Sequence, residues 1–175
     1  AYAEYVTHKD YSDGISLVDS YDNTVTTRTF SKIFGLAALR IGWSYCPPSI
    51  ADVLNRLRAP FNLTVAAQYA GVAAINDTDH LSASRYHNTV WLPWLSERLK
   101  DIGLMVHPSV ANFILVQFSE TKGKQALDAY NFLEKHGILT RKTNGYGLPN
   151  CLRITIGREE EVKAVAATLS DFISR

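Results

Sequence analysis

Long apolar runs and clusters of basic residues are both missing from this 175-residue chain. No apolar segment approaches the roughly 20 residues that a helix needs to cross a bilayer, so no membrane partner is expected. Lys and Arg are spread along the chain and the formal net charge is only +1. Because nucleic acids are bound by clustered basic side chains, a nucleic-acid partner is not expected either.

Cysteine is scarce, occurring only at Cys46 and Cys151, and no Cys-x-x-Cys motif is present. The opening residues also lack the basic and apolar pattern of a secretory signal, so we expect reduced, mostly buried thiols. No histidine pair stands at helical spacing beside a carboxylate. The sequence therefore predicts no metal site.

What the chain does contain is an alternation of helix-like and strand-like patterns, which predicts an α/β unit followed by a smaller α+β unit. A short helix is expected over residues 12–20, with Ser12 as its N-cap and Ile15, Leu17 and Val18 facing inward. Strands are predicted over residues 23–30, 38–46, 104–118 with a break at Pro108, 138–143 and 151–157. Helices are predicted over residues 47–58, 63–76, 77–103 with Pro93 inside, 123–137 and 158–174.

One lysine, Lys32, stands among small, apolar and hydroxyl residues in TFSKIFGLAALRIGW, residues 29–43. It could be a solvated surface lysine, a phosphate-binding lysine, or a nucleophile that forms a Schiff base with a carbonyl cofactor. The Gly-rich Walker loop is missing, which disfavours the second possibility. The third needs a desolvated amine and a partner for the cofactor's anionic end, for which Arg40 and the hydroxyls of Thr29 and Ser31 are candidates. The residues alone leave the first and third possibilities open.

The same segment closely resembles the lysine segment of the fold-type I pyridoxal-phosphate aminotransferases. The lysine, a following Gly-Leu-Ala, the arginine and a second glycine all fall in register, although Ala38 stands where the family usually has glycine and Trp43 varies the aromatic position. The resemblance implies a fold-type I α/β transferase that uses pyridoxal 5'-phosphate.

The resemblance also implies roles for individual residues. Lys32 would be the catalytic Schiff-base lysine and, once released, a general base for proton transfer. Thr29, Ser31 and Arg40 would hold the cofactor phosphate. Tyr2, in AYAEYV, matches a tyrosine whose hydroxyl contacts the cofactor's ring oxygen.

Four more segments resemble the histidinol-phosphate aminotransferase branch of this family: RLRAPFN (56–62), HPSVANFILVQF (107–118), HGILTRKT (136–143) and CLRITIG (151–157). By this resemblance Arg153 would clamp the substrate carboxylate and Arg141 would serve the phosphate end of the substrate. The implied reaction transfers an amino group between histidinol phosphate and 2-oxoglutarate in histidine biosynthesis, in a cytoplasmic homodimer. A threonine-phosphate decarboxylase or an aromatic-amino-acid transaminase is the alternative within the same cofactor class.

The family is about twice as long as this chain, and the aspartate that pairs with its cofactor's ring nitrogen would precede Ala1. We therefore expect a C-terminal fragment. Residues 1–77 would be part of the cofactor-binding large domain, 78–103 an interdomain helix and 104–175 a small C-terminal domain. Such a chain is expected to bind the cofactor weakly and to be inactive alone, the alternative being a non-catalytic, self-associating module.

Overall fold

A computed structural model describes residues 1–175, in which helices and antiparallel strands alternate. The α-helices are α1 (Ile15–Ser20), α2 (Pro48–Leu57), α3 (Val65–Asn76), α4 (Thr78–Asp101), α5 (Ala126–Lys135) and α6 (Glu159–Ser174). The strands are β1 (Thr26–Thr29), β2 (Gly42–Tyr45), β3 (Met105–His107), β4 (Phe113–Gln117), β5 (Arg141–Lys142) and β6 (Cys151–Thr155). None of the helices combines the length and apolar character needed to cross a bilayer.

The chain divides into two compact units, Ala1–Arg85 and Tyr86–Arg175. The first unit contains the antiparallel pair β1–β2, and the second contains a four-stranded antiparallel sheet in the order β3-β4-β6-β5. Helix α4 contributes residues to both units. The domain bounds 1–77, 78–103 and 104–175 stay a prediction.

Two glycines allow close approach of backbone and side chains in the first unit. In the β1–β2 ladder Gly42 lies opposite Thr29, and a Cβ atom on Gly42 would sit 2.6 Å from the carbonyl oxygen of Arg28. A Cβ atom on Gly71 of α3 would sit 2.8 Å from Cδ1 of Ile41. The absence of a side chain lets β1 and β2 pair closely at Gly42 and lets α3 approach Ile41 at Gly71.

Two predictions for the first unit are wrong at their boundaries. The short helix begins at Ile15 and not near Ser12, because Gly14 adopts a left-handed backbone (φ 85°) and Asp13 Oδ1 accepts from the Ile15 N–H at 3.1 Å. Of its predicted inward residues only Val18 is buried, whereas Ile15 and Leu17 are exposed. Strand β2 begins at Gly42 and not at residue 38, since residues 37–39 form a 3₁₀ turn.

Much of the apolar surface of the first unit is exposed. Leu57 at the end of α2 is 77% exposed and Tyr69 on α3 is 76% exposed. Only Ala67 and Gly71 of α3 are buried, so this alanine-rich helix packs along one narrow stripe. Helix α2 buries none of its residues, and its Val53 and Leu54 are exposed as well.

The second unit has a continuous core on one face of its sheet. Alternate strand residues such as Val106, Ile114 and Leu152 are buried and pack with α4, α5 and α6. The helix partners of these residues include Leu95, Leu99, Ala129, Leu133, Val162 and Leu169. Strand residues between the buried ones face the other side, because side chains alternate along a strand.

Candidate functional site

A guanidinium and two hydroxyls meet where β1 turns toward β2. Arg40 Nη1 donates to Ser31 Oγ at 3.2 Å and to the Ala37 carbonyl at 2.6 Å. The backbone N–H of Ser31 donates to Thr29 Oγ1 at 3.0 Å. The structure thus brings together the three residues that the sequence assigned to phosphate binding. Thr29 and Ser31 are half-buried and Arg40 is exposed.

This cluster is held by a tight segment with two buried anchors. Phe30 and Ile33 are 4% and 2% exposed, and the Leu36 N–H donates to the Phe30 carbonyl at 2.9 Å. Arg40 itself has a left-handed backbone with φ 51°, a conformation that is uncommon outside glycine. The chain reverses there, so the Arg40 side chain returns to Ser31.

Lys32 lies between Ser31 and the buried Ile33 and is exposed. Its Nζ is 5.4 Å from the ring centroid of Tyr2, which is half-buried. No Asp or Glu of the chain forms an ion pair with Lys32. The structure therefore places Tyr2 beside the lysine amine and leaves the ammonium without a carboxylate partner.

Sequence reasoning missed His80, which supports the lysine segment from α4. Its Nε2 lies 2.9 Å from the Ile33 carbonyl oxygen, and because a carbonyl only accepts, this ring nitrogen carries a hydrogen. The Asp77 side chain accepts from the His80 backbone N–H at 3.0 Å and caps the helix. Nothing in the local sequence links positions 33 and 80, so only the fold shows this contact.

Two arginines lie opposite each other in the second unit. Arg141 on β5 and Arg153 on β6 are cross-strand partners and therefore share one face of the sheet. The Arg153 guanidinium lies 4.9 Å from the Phe113 ring centroid, and its buried Nε has no hydrogen-bond partner. Neither arginine forms an ion pair with a carboxylate. Like charges directly opposite are unfavourable, so this arrangement favours an anionic ligand between or beside them.

The two cysteines are free: Cys46 is half-buried and Cys151 is buried, as predicted. Burial raises the pKa of the Cys151 thiol. A raised pKa favours the protonated thiol, which is a weaker nucleophile than the thiolate.

The residues around Lys32 fit one part of pyridoxal 5'-phosphate in particular. The Arg40 guanidinium with the Thr29 and Ser31 hydroxyls suits a phosphate group, and the neighbouring amine has no carboxylate partner. The donor set therefore matches the phosphate group of such a cofactor, whereas the Lys32 amine is exposed in this chain and not desolvated as the Schiff-base role requires.

Comparison with known proteins places the chain in a family. Residues 1–169 match the family described as "Aminotransferase class I and II". The chain belongs to this family of pyridoxal-phosphate-dependent aminotransferases. The resemblance to this family and the fold-type I α/β assignment, both predicted from the sequence, are confirmed.

Individual relatives carry a more specific name. The chain is 55% identical over 175 residues to a histidinol-phosphate aminotransferase of Rhodopseudomonas palustris (strain BisB18), and it covers 48% of that protein. It is 53% identical to the histidinol-phosphate aminotransferase of Paramagnetospirillum magneticum (strain ATCC 700264 / AMB-1), again covering 48%.

A solved structure is also similar. The histidinol-phosphate aminotransferase from Sinorhizobium meliloti, in complex with pyridoxal-5'-phosphate, superposes with a TM-score of 0.87 at 28% identity. The match covers 99% of this chain and 47% of that one. The chain thus spans about half the length of the relatives it matches.

Proposed function

We propose that this chain provides the lysine-bearing part of an aminotransferase that moves an amino group between histidinol phosphate and 2-oxoglutarate, a step of histidine biosynthesis. The observation that carries this proposal is the cluster of Thr29, Ser31 and Arg40 beside an amine without a carboxylate partner. Relatives that are 55% and 53% identical to the chain over the matched residues are histidinol-phosphate aminotransferases, which supports the substrate.

In this proposal the cofactor is pyridoxal 5'-phosphate, whose ring when bound withdraws electrons from the substrate's α-carbon. Arg40, Ser31 and Thr29 hold its phosphate through charge-assisted and hydroxyl hydrogen bonds. The amine of Lys32 takes and returns the proton of the reacting carbon, which needs a base within hydrogen-bond reach. Tyr2, beside the amine, directs its phenol to the cofactor ring.

The two arginines of the second unit bind the substrates. A planar guanidinium matches a carboxylate or phosphate with two parallel donors, which an ammonium does not. Arg153, stacked on Phe113, binds the carboxylate of glutamate or 2-oxoglutarate. Arg141 binds the phosphate of histidinol phosphate. Because Arg141 and Arg153 lie on one face of the sheet, the carboxylate and the phosphate bind to the same face of the second unit.

A homodimer is part of the same proposal. Large apolar side chains of α2 and α3 are exposed in this chain, and contact with a second copy would remove them from water. The chain alone is proposed to be inactive, because its lysine and Arg40 are exposed to water and catalysis needs a water-excluded site.

Titration of the chain with pyridoxal 5'-phosphate tests the proposal. We expect weak binding with a near-visible absorbance band that the Lys32→Ala variant loses. The control variant Lys100→Ala, at an exposed position of α4, should retain the band. An undiminished band in Lys32→Ala would contradict the assignment of Lys32.

A second candidate is a non-catalytic module that persists by self-association, which the exposed apolar side chains of the first unit favour. In that case the chain would associate without binding the cofactor. A colourless titration combined with a stable oligomer in light scattering would support this candidate against the first.

A further inference from the structure

Tyr146 makes a contact with Arg141 that the roles described above do not include. Arg141 Nη2 donates to the Tyr146 hydroxyl at 2.7 Å, and the guanidinium carbon lies 5.6 Å from the ring centroid. The Tyr146 side chain is nonetheless 60% exposed. A tyrosine that packs into the core would be mostly buried, so core packing does not explain its position.

The loop that carries Tyr146 is built to a fixed shape. Residues Asn144–Tyr146 form a 3₁₀ turn that ends at Gly147, whose left-handed φ of 75° suits glycine. The preceding Thr143 is 2% exposed, and its hydroxyl oxygen lies 2.7 Å from the Leu148 carbonyl oxygen and 2.8 Å from that of Cys151. These hydrogen bonds of the buried Thr143 join the start of the loop to its end and fix the position of the Tyr146 phenol.

The phenol retains a proton for a further partner. Its oxygen accepts from Arg141, and no acceptor for the Tyr146 O–H is found in the structure. A hydroxyl that accepts from a guanidinium is polarised, and the resulting hydrogen-bond chain strengthens its own donation. Arg141 also has no carboxylate partner. The pair thus presents a positive charge and a free O–H donor side by side.

We propose that Tyr146 and Arg141 form one phosphate-binding site, in which the Tyr146 hydroxyl fixes the guanidinium and donates its own hydrogen to the phosphate of the substrate. This inference rests on the proposed function of Arg141. The hydroxyl makes the site selective for phosphate. A guanidinium can bind two oxygens of an anion, and a phosphate monoester has a third terminal oxygen for the hydroxyl, which a carboxylate lacks.

Tyr130 provides a matched control. Its hydroxyl also makes a side-chain hydrogen bond, to Glu134 Oε1 at 3.1 Å, and its ring lies 4.4 Å from the Nζ of Lys142, the neighbour of Arg141. It differs from Tyr146 because its partner is a carboxylate on its own helix α5. Removing its hydroxyl therefore changes a phenol near the site without changing the donors of Arg141.

The test is an NMR titration of the chain with inorganic phosphate and, separately, with acetate. The Arg141 Nε–Hε signal, assigned by its loss in Arg141→Lys, reports binding at this site and not at Arg40. We expect Tyr146→Phe to weaken phosphate binding at least about tenfold, as for a lost hydrogen bond to a charged group, with little change for acetate. We expect Tyr130→Phe to bind both like the wild type. In the wild type the ring signals of Tyr146 should shift with the same midpoint as Arg141.

The outcomes separate this inference from the proposed function. If phosphate moves Arg141 but leaves the Tyr146 ring signals unchanged, or binds Tyr146→Phe as tightly as the wild type, the joint site is wrong while Arg141 keeps its role. If phosphate leaves the Arg141 signal unchanged in the wild type, the phosphate role of Arg141 itself is wrong. An equal loss in Tyr130→Phe would mean that the effect is not specific to Tyr146 and would also overturn the joint site.

Discussion

Arg40 and Phe61 are the only residues other than glycine with a positive φ, at 51° and 55°. Such a backbone costs of the order of 1 to 2 kcal/mol for an L-residue. At Arg40 the cost is offset by hydrogen bonds from the guanidinium to Ser31 and to the Ala37 carbonyl. Strain at a residue assigned to anion binding agrees with a functional role, because strained residues concentrate at binding sites.

Replacing Arg40 tests that role directly. We expect Arg40→Lys to weaken binding of pyridoxal 5'-phosphate at least about tenfold, because a point charge replaces a planar fork. The measurement is a spectroscopic titration of the chain.

Arg58→Lys is the matched control for this substitution. Arg58 also lacks a carboxylate partner but contacts only the amides of Asn55 and Asn62. If the Arg40→Lys variant and the wild type bound pyridoxal 5'-phosphate with equal affinity, the assignment of Arg40 to the phosphate site would be wrong.

Gly42 is expected to tolerate no side chain. In Gly42→Ala the new Cβ would lie 2.6 Å from the Arg28 carbonyl, so β1 and β2 would have to separate. We expect the free energy of unfolding to fall by about 1 to 3 kcal/mol, as for other overpacked sites. Chemical denaturation measures it, with Gly145→Ala as the control because its Cβ would meet nothing within 4 Å. Equal losses in both variants would contradict the explanation.

At the level of single residues the sequence predicted the parts of the site that are close in the chain. Thr29, Ser31 and Arg40 lie within one segment, and the resemblance of that segment to the family's lysine segment is what implies their phosphate-binding role, which stays a prediction. His80 and Tyr146 could not be predicted, because their contacts depend on where α4 and the β5–β6 loop lie after folding.

For the helices and strands too, boundaries set by nearby residues were easier to predict than boundaries set by distant contacts. The C-terminal ends of α4 and α5 lie two residues before the predicted ones, because Gly103 and Gly137 supply left-handed backbones just beyond each helix, whereas α5 begins at Ala126 and not at residue 123. The strands were predicted too long: β5 contains only Arg141–Lys142 of the expected 138–143. Strand length depends on pairing with a neighbour, which the local pattern does not contain.

The cap of α3 gives a prediction at this scale. Thr64 Oγ1 accepts from the Ala67 backbone N–H at 3.1 Å. We expect Thr64→Ala to lower the free energy of unfolding by about 1 kcal/mol, the usual value of an N-cap. Thr64→Ser, which keeps the hydroxyl, should stay near the wild type. A serine variant as unstable as the alanine variant would assign the effect to the lost methyl group and not to the cap.

Helix α6 predicts a dependence of stability on pH. Hydrogen bonds from the Arg158 side chain and backbone lower the pKa of Glu161 from its ordinary value of 4.5. A carboxyl with a lowered pKa in the folded state stabilises fully above the unfolded pKa, and the stabilisation is lost as pH falls through the folded pKa. We therefore expect stability to fall below about pH 4.5 and Glu161→Gln to reduce this dependence.

Unfolding at a series of pH values checks the expectation for α6. Glu97→Gln on α4 is the control, because Glu97 forms no ion pair in the structure. An acid dependence that is the same in both variants would show that Glu161 is not its source.

On the scale of the whole molecule, the two units differ in how much apolar surface they bury. The second has a continuous core, whereas the first leaves Leu57 and Tyr69 more than three-quarters exposed and Phe61 98% exposed. Exposed apolar patches of this kind mark surfaces that associate with other protein.

Self-association through the first unit is the corresponding prediction. We expect light scattering to detect a dimer at micromolar concentration, and Tyr69→Lys to shift the chain toward the monomer. Leu139→Glu, at a 78% exposed position of the second unit, should leave the association unchanged. If Leu139→Glu dissociates the dimer and Tyr69→Lys does not, the contact lies on the second unit.

The one-sided sheet of the second unit has a consequence for how such a protein evolves. Along β6, Leu152 and Ile154 are buried in the core, while Arg153 between them faces the other side with Arg141. If the proposed function holds, selection for a stable fold acts on Leu152 and Ile154, and selection for a ligand acts on Arg153 between them. Substitutions that change ligand preference would then lie on one face of the sheet, and substitutions that unfold the chain would lie on the other. A lineage could therefore exchange one anionic substrate for another while inheriting its core unchanged.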